Sequence, residues 1–202
     1  IEDFLDKNIF NEVKNSIINL KKTKYNFNGI MRKGSATSFE EILNSKHRNI
    51  IDKVMNPNTL LNIYKTTGLN LQFIEKTDND VLAILYYDNI GDNMDWHHDR
   101  NIFYGDRWAA ILTIVNKNYN NNNYSSAQFE YKIDNKKEQI DTKENSLVLF
   151  RGDQVLHKVG SIKDNEERIV IAMVLCDLCK KKTDIFNILY NKMVHFVYYG
   201  KI

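Results

Sequence analysis

Hydrophobic positions along this chain follow two different periods, and the change from one to the other falls near residue 68. Phe10, Val13, Ile17, Ile18 and Leu20 recur at helical spacing, as do Phe39, Ile42 and Leu43, then Ile50, Ile51 and Val54 ahead of Pro57. Such spacing places each set on one side of a helix. Leu60-Leu61-Asn62-Ile63-Tyr64 begins a further helix, which Gly68 closes. Beyond it the pattern is that of strands, with short β-branched and aromatic runs bounded by Gly, Asn and Asp at 69–74, 81–87, 97–101, 108–115, 128–133, 146–150, 155–159 and 168–176. A last helix is predicted over 184–194. Eight strands after a helical block predict an α+β fold, a double-stranded β-helix (jelly roll, cupin-like) buttressed by N-terminal helices.

Composition adds a scale to this pattern. With 202 residues, 43% hydrophobic and 11% aromatic, the chain can bury a core without disulfides. One domain is expected over 1–202: a helical buttress at 1–68, a jelly-roll core at 69–176, and a C-terminal helix and tail at 177–202. A net charge of +2 and a pI near 8.4 are too mild for a nucleic-acid footprint. Lys180-Lys181-Lys182 reads as a solvated helix start. No apolar run reaches a membrane span, and the first residues lack a signal peptide's layout. The chain opens on Ile1, which points to a missing upstream piece. A soluble cytoplasmic protein is the expectation, with oligomeric state left open. Cys176 and Cys179 cannot by themselves make a structural zinc site, which needs four ligands. They read as two unpaired thiols, in keeping with a reducing compartment.

Candidate chemistry lies in Trp96-His97-His98-Asp99, in the distal His157, and in Arg168 eleven residues further on. On a strand, residues i and i+2 share a face, so His97 and Asp99 can reach one ion while His98 points away to a second face or to the site's rim. His157 follows the Gly152-Asp153 turn on an alternating run, and Arg168 opens a β-branched stretch. If the strand of His157 pairs with that of Arg168 through the turn at 163–167, the guanidinium falls near the metal. Two His and one Asp fill three positions on Fe(II) and leave three open. A buried Arg without a carboxylate is costly, and a dicarboxylate ligand relieves that cost. A lone His-x-Asp is usually two surface residues; the ordered set carries the inference. Trp96 reads as packing, and His47 and His195 as structural.

These residues identify a resemblance to the 2-oxoglutarate- and Fe(II)-dependent oxygenase superfamily over roughly residues 80–175. Gln128-Phe129-Glu130-Tyr131 and Leu149-Phe150-Arg151-Gly152, leading to Leu156-His157-Lys158-Val159, are similar to segments of the small free-amino-acid hydroxylase and halogenase group. Prolyl-4-hydroxylase-like enzymes are more distant. The resemblance implies a metal triad of His97, Asp99 and His157. It implies Fe(II), 2-oxoglutarate and dioxygen, with ascorbate as a stimulant, and Arg168 paired with the co-substrate's 5-carboxylate. Halogenases of this type carry a small residue at the carboxylate position, so Asp99 implies hydroxylation.

Tyr87 and Thr113 are candidate helpers for the co-substrate carboxylate, with Arg107 a weaker one. Arg151 is read as a contact for a substrate carboxylate or for a surface acid. Residues 118–126 form a polar loop, a lid or a solvated insertion, and Ser126-Ala127 replaces the paired glycines frequent in related enzymes. The acids of Asp88-Asn89-Ile90-Gly91-Asp92-Asn93-Met94-Asp95 could meet a cationic substrate or serve as turn residues. The expected partner is a small molecule, a free amino acid with a basic one among the candidates. The alternatives are a peptidyl, prolyl-type substrate and a non-catalytic cupin-like binding protein.

Overall fold

Among the described residues four helices form, on apolar spacing that side-chain capping reinforces in all but one. The structure is a computed structural model that describes residues 1–20, 25–28, 31–76, 78, 81–134 and 136–182. Helix α1 (Lys7–Leu20) buries Phe10, Val13, Ile17 and Leu20, while Ile18 lies on the exposed side. Helix α2 (Phe39–Leu43) starts with a capping box in which Ser38 and Glu41 each bond the other's backbone N–H. Helix α3 (Asn49–Val54) buries Ile50, Ile51 and Val54. Pro57 opens α4 (Pro57–Thr67) rather than ending its predecessor: the Asn56 side chain accepts from Asn58 and Thr59, and Gly68 closes the helix at φ 74°.

The strands are β1 (Tyr25–Asn28), β2 (Arg32–Ser38), β3 (Gln72–Phe73), β4 (Leu82–Tyr87), β5 (Asn93–His97), β6 (Arg107–Asn118), β7 (Phe129–Ile133), β8 (Lys136–Ile140), β9 (Leu147–Phe150), β10 (Leu156–Val159) and β11 (Glu166–Cys176). They pair in the order β8-β7-β10-β5-β2-β4-β11-β6-β9, with β1 on β2 and β3 on β11. All of these pairings are antiparallel. The sheet curls into a jelly roll. Strand β2 is its corner: Arg32 and Lys33 pair with β5, whereas Ser35 to Ser38 pair with β4. Gly34, at the switch, has φ +142°, and a Cβ there would meet the Tyr86 carbonyl oxygen at 2.7 Å.

Several sequence expectations change. The block at 1–68 is not purely helical, because β1 and β2 lie within it. The β2 sequence, RKGSATS, has no apolar alternation, and its place in the roll is set by pairing with β4 and β5, which are distant in sequence. Strand β8 is a charged, exposed edge strand with no hydrophobic signal. The strand predicted at 69–74 shrinks to two residues, and β5 ends at His97 instead of starting there. Cys176 and Cys179 are not free: their sulfurs are bonded, the Cα atoms 5.3 Å apart, within disulfide reach. Cysteine usage therefore no longer argues for a reducing compartment. The predicted helix at 184–194 and His195 lie outside the described residues.

Both faces of the larger half-sheet are covered, which explains its continuous apolar runs. Leu82, Ile84 and Tyr86 of β4, with Ile169, Ile171 and Met173 of β11, join helix residues such as Val13, Ile17 and Ile63 in one core. Ala83, Leu85 and Tyr87 face the opposite way and pack with Ala36 and Val170 inside the roll. No helix among the described residues is long and apolar enough to cross a membrane.

Candidate metal and anion site

His97 and His157 are direct cross-strand partners on β5 and β10, which brings their rings to a centroid separation of 4.1 Å. Asp99 lies just past the end of β5, so strand alternation does not aim it. Instead its N–H donates to the Gly152 carbonyl at 2.8 Å, and Arg107 Nη1 donates to Asp99 Oδ2 at 2.5 Å. Gly152 is required by contact: a Cβ there would collide with the Asp99 carboxylate. The other carboxylate oxygen, Oδ1, stands 3.7 Å from His97 Nε2 and 4.0 Å from His157 Nε2. One ligand atom from each of the three residues lies within 4.8 Å of the other two, a spacing that suits a single ion.

Hydrogen bonds behind the rings fix their tautomers. His97 Nδ1 is 2.7 Å from the Asp95 carbonyl and His157 Nδ1 is 2.8 Å from the Val155 carbonyl. A carbonyl only accepts, so each Nδ1 carries the proton and each Nε2 presents a lone pair towards Asp99. Phe129 stacks on His157 at 5.6 Å, and Phe150 meets it edge-on at 4.7 Å. Burial, reinforced by His97 and only partly offset by Asp99, pushes His157 down to about 4. Burial alone would raise Asp99, but Arg107 and the two histidines outweigh it and hold the carboxyl below its usual range. A deprotonated Asp99 carboxylate and a neutral His157 imidazole are forms in which these side chains can ligate a metal ion.

The triad opens on a cavity of ≈ 240 Å³ whose wall also includes Tyr87, Phe129, Val170 and Arg168. Arg168 does not reach it by pairing with the strand of His157. Strand β10 pairs with β5 and β7, while Arg168 on β11 faces Tyr87 on β4 and Asn116 on β6. The roll closes the two half-sheets face to face, and that closure brings guanidinium and triad to one cavity. Arg168 is 1% exposed. Its Nη1 donates to the Ala127 carbonyl at 2.7 Å, while its Nε has no partner. Burial lowers it to about 10, so it stays charged at neutral pH. Thr113 Oγ1 is also buried without a partner, and the Tyr87 hydroxyl is buried near the Arg32 and Arg168 charges. Thr113 follows Ala109 and Ile111 on the inner side of β6 but does not line the cavity.

Other predicted residues sit elsewhere. His98 is exposed and borders the cavity. Trp96 faces outward beneath Lys132 and Lys158. Arg107 grips Asp99 rather than the far end of the cavity. Arg151 pairs with Asp106 and Asp153 and does not line the cavity. Asp92 caps its own turn through the N–H groups of Asp88 and Asn89, and none of Asp88, Asp92 and Asp95 reaches the cavity wall. The 118–126 loop is tied to Glu166 through Asn118 and Ser126, which makes it an anchored insertion. Gly160 provides the close approach at Ser126, since a Cβ there would meet the Ser126 carbonyl at 2.6 Å. Sequence reading missed Arg32, equally buried at 1% exposure and with an unpartnered Nε; its polar surroundings in the sequence carry no signal.

No family model matches the chain, and no curated protein does. Solved structures match in fold. A prolyl hydroxylase from Trichoplax adhaerens, in complex with a hypoxia inducible factor oxygen degradation domain peptide, aligns with a TM-score of 0.66 at 18% identity, over 88% of this chain and 82% of that one. The viral collagen prolyl hydroxylase of Paramecium Bursaria Chlorella virus-1, in its 2OG complex, gives 0.56 at 15% over 87% and 94%. The non-heme alpha ketoglutarate dependent epimerase SnoN of nogalamycin biosynthesis gives 0.65 at 13% over 88% and 76%. At these identities the likeness establishes the jelly-roll fold.

Proposed function

We propose that this chain is an Fe(II)- and 2-oxoglutarate-dependent dioxygenase that hydroxylates an unactivated C–H bond of a small substrate. A single observation carries the reading: one cavity is lined both by a His-Asp-His ligand set and by a buried guanidinium that has no carboxylate partner among the described residues. The likeness in fold to prolyl hydroxylases and to a 2-oxo-acid-dependent epimerase supports it.

His97, Asp99 and His157 would hold the iron through Nε2, a carboxylate oxygen and Nε2. Arg168 would receive the far carboxylate of 2-oxoglutarate, with Tyr87 as hydroxyl donor and Thr113 behind the wall. Bound iron and co-substrate supply the oxidising chemistry, in which dioxygen and 2-oxoglutarate become succinate and carbon dioxide while one oxygen atom enters the substrate C–H bond. The protein's own contribution is placement and exclusion. Phe129, Phe150 and Val170 keep the chamber apolar, and Arg107 holds Asp99 in aim.

A free amino acid is the proposed substrate class. Arg100 lines the same cavity and brings a positive charge to it, and the cavity's size suits a small molecule. Support for a basic side chain reduces to Asp78, which lines the cavity but is held by Lys181 at 2.7 Å. Peptidyl hydroxylation is the second reading, favoured by the peptide seated on the Trichoplax neighbour. The test is succinate formation with Fe(II) and 2-oxoglutarate in air, across free amino acids and peptides. Turnover stimulated by an amino acid is expected. No succinate from metal-loaded protein under any condition would leave only a binding protein.

A further inference from the structure

A disulfide clasps the far end of the strand that carries Arg168. Cys176 is the last residue of β11, fully buried and registered against Arg107 of β6, while Cys179, bonded to it from a sequence separation of 3, is partly exposed. The turn they close grips the chain just before β6. The Asp106 N–H donates to Asp177 Oδ1 at 2.7 Å and the Gly105 N–H to the Leu178 carbonyl at 3.2 Å. A Cβ on Gly105 would meet the Leu178 backbone at 2.7 Å, so a side chain there would push the two segments apart. Residues 180–182 then run back along 102–104. Tyr104 N–H donates to the Lys180 carbonyl and Lys182 N–H to the Ile102 carbonyl, both at 2.9 Å, and Phe103 pairs with Lys181. Ile102 and Phe103 line the cavity, as does Asp78, which Lys181 holds at 2.7 Å. Residues 177–182 are therefore a strap behind one wall of the cavity.

Closing so short a loop takes little entropy from the unfolded chain, so the bond acts on the strap rather than on the whole fold. Asp177, Leu178, Lys180 and Lys181 are exposed, and a segment held by few backbone bonds at the surface is the kind that opens locally. The thiol form is accommodated too: the Gln72 and Cys176 carbonyls each stand 3.7 Å from Cys179 Sγ and can accept its S–H. Resting on the oxygenase reading for its link to substrate, we propose that Cys176 and Cys179 form a redox modification site for a dithiol reductant, and that their disulfide holds the strap against the cavity wall. One thiolate of the reductant attacks Cys179 Sγ and the S–S bond breaks, so that Cys176 leaves with the electron pair and takes a proton. The second thiol of the reductant then displaces Cys179 Sγ, which takes the other proton, and the reductant departs as its own disulfide.

Hydrogen exchange on the full chain, with and without dithiothreitol, tests this. A thiol reagent should find no free thiol before reduction and both cysteines after it. Reduction should speed exchange at the Tyr104, Gly105 and Lys182 amides about ten-fold or more, while the Asp99 amide and the ladder between β6 and β11 keep their rates. C179A should exchange as the reduced wild type does in either buffer. Without dithiol, its KM for the stimulating amino acid should be raised about three-fold or more, with Mn(II) affinity unchanged. Free thiols before reduction, a bond that resists the dithiol, or unchanged exchange at those amides overturns the proposal. Loss of the fold on reduction or in C179A also overturns it, because the bond would then be a general brace. An unchanged KM overturns the strap's tie to substrate. A wild type that forms no succinate removes the oxygenase reading instead, and the exchange rates still decide the clasp.

Discussion

At the metal end of the cavity Arg107 grips Asp99 at 2.5 Å and both imidazoles are pinned through Nδ1, whereas on the wall formed by β11 Arg168 keeps a buried Nε without a partner. The first arrangement is pre-organised: hydrogen bonds from within the protein hold Asp99 and both rings in place. The second is unsatisfied, and buried polar groups are rarely left so. On the proposed reading, one end holds a cation rigidly and the other is completed by an anion. Perturbing each end should therefore damage different measurements.

The largest effect is expected from Asp99→Gly, which removes the only carboxylate of the triad. Metal titration should show affinity down by about 100-fold or more, with hydroxylation lost. Persistent turnover would mean that another carboxylate serves. Arg168→Gln comes next. Its 2-oxoglutarate affinity should fall by about 10- to 100-fold, the worth of a charge-assisted contact, while metal affinity is unchanged. If both fall together, the two ends are not separable.

Arg107→Gln should act in the opposite sense, costing about 10-fold in metal affinity while 2-oxoglutarate binding to metal-saturated protein is kept. The smallest effect concerns pH in the metal-free protein. His157 takes its proton near 6.5 when unfolded and near 4 when folded, so the unfolded chain binds more protons between those values. Stability should be unaffected by this residue above about 6.5, fall as pH drops towards 4, and level off below. Asp99, held below 3.8, loses its contribution only under more acid conditions. Melting curves of wild type and His157→Gln across this range should converge as pH falls; parallel curves would mean that His157 is not desolvated as described.

Legibility varied with the origin of the signal. Helices α1 and α3 and strands β4, β6 and β11 announce themselves because their burial is periodic or continuous along the sequence. Strand β2 does not: its residues are polar, and its place at the corner of the roll depends on β4 and β5, some fifty residues away. Strand β8 is an edge with no core to face. Ordered chemistry made the His97, Asp99, His157 and Arg168 set readable, but the supposed route to it was wrong twice. Asp99 is aimed by Gly152 and Arg107 rather than by strand alternation, and Arg168 arrives from the opposite half-sheet rather than from the neighbour of β10.

The amino-acid sequence by itself determined the residue types able to ligate a metal and neutralise a dicarboxylate, and the apolar periods that commit the chain to strands packed under helices. Both are local properties, written in side-chain chemistry and spacing. Tertiary structure alone decided that Arg107 holds the Asp99 carboxylate, that Gly152 makes room for it, and that Arg168 faces Tyr87 across β11 and β4. Those relations join strands that pair only when the sheet curls, and a distance between such strands has no counterpart in their order along the chain.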